Sequence, residues 1–334
     1  SPGESGIRMH LDSIMPNLLK FLEDSSWTLK AQSGNAIKTL ARQLGKSLGP
    51  KERECLIRAV VAALAGRTFQ GKEKLLEALE NLCEHLECPS GDLGTLVVDA
   101  VMKECRKEEP VYRTHSLKAL GNILDALKID RFEEVYNMVW NILEHTVSVA
   151  DEVSAEERNK ALQVNIALKE SVCETLGKAW PVNSMETQQK YQVMFAQKCA
   201  ECLGRNTRPV QVSLLAALGR FVERLKVLDA VTPMDIDSVV KKPKVDPNGE
   251  KIETISRIVL RCVAQVAELP HTGLKKEALN ILLIMINRSK KSNDTVLLPM
   301  IREHFAGTID FFRRDNSPEI KCRVKDIEDK LRDI

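Results

Sequence analysis

A small residue followed by an aliphatic one recurs along this chain at an almost fixed interval. The pairs are Ala36-Ile37, Ala78-Leu79, Ala119-Leu120, Thr175-Leu176, Ala217-Leu218 and Ala278-Leu279, spaced 42, 41, 56, 42 and 61 residues apart. A last unit places Ile327 in the same register, 49 residues on. Self-similarity at one period constrains the fold more than any other feature. Each unit is one supersecondary element that cannot bury its apolar face alone, so neighbours must stack. Two of the long gaps contain stretches that read as loops. The first is 146–160, polar and rich in Asp151, Glu152, Glu156 and Glu157; the second is 229–251, with Pro233, Pro243, Pro247 and Gly249. The third excess falls at Arg288–Thr295.

Within a unit the pattern is helix, turn, helix. Leu11, Ile14, Leu18 and Leu22 fall on one helical face, and Asp24-Ser25-Ser26 supplies a turn and an N-cap. A second helix then carries Leu29, Ser33, Ala36, Ile37 and Leu40 towards the core. Small residues there let neighbouring helices approach closely. Pro16 lies inside the first helix, where a kink is expected. A period near 42 with two helices per unit lies in the range of HEAT and armadillo repeats. The expected fold is all-α, an α-solenoid of about seven HEAT-like repeats forming a single array over 7–334. Asp24 with Lys30, and Asp315 with Lys321, share a six-residue spacing that allows pairing between units.

Composition agrees. Aromatic residues make up 4%, and Lys+Arg 49 against Asp+Glu 47 gives a net charge of +2. That balance offers no basic field for nucleic acid. The longest apolar run, Ala278 to Ile286, is interrupted by Asn280 and is far shorter than the about 20 residues of a membrane span. Nine Cys, an odd number in a long chain without a recognisable secretory signal, read as reduced thiols of a nucleocytoplasmic protein. The chain opens Ser1-Pro2-Gly3 without Met, leading to the expectation of a piece of something longer.

Candidate chemistry is sparse. Gly66-Arg67-Thr68-Phe69-Gln70-Gly71-Lys72-Glu73 approaches a phosphate-binding loop, but Glu73 stands where a magnesium-ligating hydroxyl is needed. The repeat register makes this loop a turn between helices. Cys199 and Cys202 form a CxxC inside a helical pattern, where that spacing is core spacing. Cys83, His85 and Cys88 lack a fourth zinc ligand and read as a helix end. The six His stand in no helical ligand pair, and no G-x-S-x-G is present. Lys241-Lys242-Pro243-Lys244 is a weak import-like run in a loop that also carries Asp235, Asp237 and Asp246. No catalytic, cofactor-binding or metal residue is therefore assigned, and the two long loops are expected to serve as partner contacts.

Several stretches carry a resemblance. Glu4–Leu11, Ser25–Gln32, Gly66–Glu73, Glu104-Cys105, Lys107-Glu108, Asp130-Arg131-Phe132 and Leu176–Pro181 resemble the C-terminal portion of a family of large HEAT-repeat proteasome adaptor and scaffold proteins. The match is densest before Pro181 and thins beyond residue 182. The resemblance implies a non-enzymatic scaffold that binds the core and regulatory particles of the 26S proteasome and acts in their quality control. It also implies links to motors and membrane compartments, and a place in cytoplasm and nucleus. Two other readings compete. A HEAT-repeat nuclear transport receptor is usually strongly acidic, which +2 opposes. A nucleotide-binding enzyme would have to use the 66–73 loop.

Overall fold

In the computed structural model of the chain, residues 3–87, 92–145, 151–226 and 254–332 are described. Among them are fourteen α-helices and no strand. They fall into two compact units, Ser1–Ala179 and Trp180–Ile334. The first holds α1 (Glu4–Leu22), α2 (Trp27–Leu44), α3 (Pro50–Ala63), α4 (Glu73–Glu84), α5 (Leu93–Cys105), α6 (Pro110–Leu127), α7 (Phe132–Glu144) and α8 (Ala155–Lys178). The second holds α9 (Met185–Leu203), α10 (Arg208–Arg224), α11 (Ile255–Ala267), α12 (Thr272–Ser292), α13 (Leu297–Arg313) and α14 (Pro318–Arg332). Among the described residues, consecutive helices form seven hairpins. Within the first unit the second helices pack in the order α2–α4–α6–α8, and the first helices α1–α3–α5 pack behind them. The second unit repeats this with α10–α12–α14 and α9–α11–α13. That is solenoid stacking inside each unit.

Local chemistry sets the helix starts. Asp24 accepts from the Ser26 amide at 2.8 Å, and Ser26 Oγ accepts from the Leu29 amide. Ser154, Ser184 and Thr254 cap α8, α9 and α11 in the same way. Pro50, Pro110 and Pro318 occupy first-turn positions, where a missing N–H costs nothing. α1 continues through Pro16, which lies on its exposed side. Ile14 departs from the expected stripe: Leu11, Leu18 and Leu22 are buried, whereas Ile14 is 36% exposed.

The small-residue register works as a contact line, with one exception. Ala78, Ala119 and Ala278 are buried, and Thr175 Oγ1 lies 2.7 Å from the Leu117 carbonyl across the α6–α8 interface. Ala36 is exposed, because α4 meets α2 on a different face, at Gly34. A Cβ on Gly34 would stand 3.0 Å from the Lys74 carbonyl carbon, and one on Gly121 would stand 3.1 Å from Thr175 Cα. A side chain at either place would require the facing backbone to give by a few tenths of an ångström.

The loop expected over 146–160 is shorter. α8 begins at Ala155 with Ser154 as cap and Glu156 and Glu157 in its first turn, where carboxylates suit the helix dipole. Residues 154–160 are all exposed, so this turn buries nothing and its sequence looks like a loop. Residues 146–150 lie outside the described residues, as does the whole 229–251 insert with Lys241–Lys244.

Candidate protein-binding surface

The Gly66–Lys72 turn joins α3 to α4 and lies against the start of α2. Gly66 and Gly71 have φ of 97° and 94°, left-handed values that favour glycine. A Cβ on Gly71 would also come within 2.9 Å of Ala31 Cβ. Between these glycines the loop folds around its own lysine. Lys72 is fully buried, and its Nζ donates to the carbonyls of Gly66 at 3.3 Å and Arg67 at 3.2 Å. The same ammonium lies 2.5 Å from Glu104 Oε1, near the end of α5. An ammonium has three donors, and all three are used. The Tyr112 hydroxyl donates to Glu104 Oε1 at 2.9 Å, and Lys107 Nζ donates to the Gly66 carbonyl at 2.6 Å. Burial lowers the Lys72 pKa from its ordinary value, while the hydrogen bond and charge of Glu104 pull it back up. Burial, and then Glu104, raise that of Tyr112. A phosphate could reach Lys72 only by breaking this cluster. The glycines and lysine that imitate a phosphate loop are thus the parts of a buried structural turn.

Above the turn, Trp27 opens α2 and is 57% exposed. Phe69 stacks on it with centroids 5.8 Å apart and planes 14° apart. Exposed Trp residues are enriched among the side chains that dominate protein interfaces.

A second polar feature runs across the second helices of the first unit. Lys38 Nζ lies 2.6 Å from Glu77 Oε2, Asn122 Nδ2 donates to Glu80 at 3.3 Å, and Lys178 Nζ donates to Asn122 Oδ1 at 2.5 Å and to Glu174 at 2.6 Å. Burial raises the Glu80 pKa. Burial acts the same way on Glu77, but the hydrogen bonds and charges of Lys38 and Lys74 together outweigh it and the net shift is downward. Lys38, Glu80, Asn122 and Lys178 each follow the small residue of their helix by two or three positions. That offset is the signal a reading of the sequence could have used. The six-residue Asp–Lys pairs do a different job. Asp24 caps Ser26, and Asp315 accepts from the Ser317 amide and the Thr272 hydroxyl, each at 2.8 Å. Neither Asp forms an ion pair with the Lys six residues on; Oδ1 of each accepts from a turn amide instead.

The remaining candidates are structural. Cys199 and Cys202 are buried on α9. Cys83 is buried and burial pushes its thiol up to about 12. His85 ends α4 beside it, while Cys88 lies outside the described residues. His271 Nδ1 accepts from the Leu274 amide and caps α12; Glu109 caps α6 by accepting from the Val111 and Tyr112 amides. Among the described residues no three His, Cys, Asp or Glu side chains stand together as metal ligands, and no helix is long and apolar enough to cross a membrane. Thiol labelling of the folded chain checks the burial pattern. Cys55 and Cys322 are expected to react with iodoacetamide, whereas Cys83, Cys105, Cys173, Cys199, Cys202 and Cys262 react only on unfolding.

Stacked helical hairpins joined by satisfied turns, with polar and aromatic groups on their outer faces, define a repeat protein of the armadillo-like class. The sequence profile described as "ECM29, C-terminal ARM-like repeats" matches residues 90–330, and the chain belongs to that family. It is 46% identical to the "Proteasome-associated protein ECM29 homolog" of Drosophila melanogaster, over 99% of this chain and 19% of that protein. It is 28% identical to the human "Proteasome adapter and scaffold protein ECM29", over 87% of this chain and 16% of that protein. The chain thus spans less than a fifth of the length of these curated relatives.

Proposed function

We propose that the chain is a non-catalytic adaptor and scaffold module that binds the 26S proteasome. Its finer role in this reading is to help link the core and regulatory particles, to take part in their quality control, and to couple them to motors and membrane compartments in the cytoplasm and nucleus. The observation that carries the reading is the 46% identity to a proteasome-associated protein across 99% of the chain. The turn at Lys72 supports it from the other side, since the one nucleotide-loop candidate is occupied by its own protein contacts.

Affinity capture tests the proposal. The chain, immobilised, is offered purified 26S proteasome and Ran-GTP in one mixture. Retention of proteasome subunits is expected. Retention of Ran-GTP with no proteasome subunit would replace this reading with the transport-receptor one.

A further inference from the structure

We draw no further inference here: the strongest candidate, the surface patch where the exposed Trp27 ring at the start of α2 stacks on Phe69 of the α3–α4 turn, carries nothing further because nothing in the structure shows what covers it.

Discussion

Replacing Glu104 with Ala is expected to lower the unfolding free energy by about 3–5 kcal/mol, the usual effect of removing one partner of a buried ion pair. Lys72 is fully buried and its partner nearly so, which leaves the ammonium without solvent or counter-charge. Tyr112 loses its acceptor in the same step. Urea denaturation followed by tryptophan emission measures the change, and Trp27, stacked on the loop residue Phe69, reports locally. The deficit should depend on pH with a definite sign. Burial already holds the Lys72 pKa below its ordinary 10.5, and Glu104 opposes that shift. Without Glu104 the folded state holds the proton still less readily, while the unfolded chain keeps it. Stability then rises with pH up to 10.5, because the unfolded state binds more protons in that window. The gap between variant and parent is therefore full near neutrality and narrows as pH climbs towards 10.5. Replacing both partners with apolar residues, Lys72→Met with Glu104→Leu, should recover much of the loss. A deficit that stays constant from neutral to alkaline pH would contradict the buried-pair account.

The second large effect belongs to the other unit. Phe221 is fully buried and forms an aromatic cluster with Trp180, edge-on at 4.7 Å, and Phe195 at 5.0 Å. Phe221→Ala removes the ring from the centre of that cluster and is expected to cost about 3–5 kcal/mol, the lost transfer energy plus the cavity left behind. Trp180 sits against the substituted ring, so its emission should shift in the folded state as well. A loss under about 1 kcal/mol would mean that the cluster collapses to fill the space, as poorly constrained sites do.

The architecture was legible from the small-residue register because a repeat fold must satisfy the same packing problem at each interface. Where that problem was solved differently, the pattern misled. Ala36 keeps the register but is exposed, since glycine at position 34 lets α4 pack on another face. The first turn of α8 was hidden by its own exposure: acidic residues that suit a helix N-terminus are also those of a solvated loop. The polar groups were harder still. Asp24 and Lys30 look like a ladder pair, but a carboxylate beside free turn amides accepts from them first. The cross-helix contacts run instead through Lys38 with Glu77, Glu80 with Asn122, and Asn122 with Lys178. The pairing of Lys72 with Glu104 joins residues 32 positions apart, and only the stacked turns bring them together.

The proteasome-binding claim is met most directly by mapping contacts. The chain is mixed with purified 26S proteasome, treated with a lysine-reactive cross-linker, and the linked peptides are identified by mass spectrometry. The account predicts cross-links from lysines of this chain to subunits of both the core and the regulatory particle, lost when excess unlabelled chain competes. Cross-links to neither particle, at concentrations where the chain is folded and in excess, would contradict it.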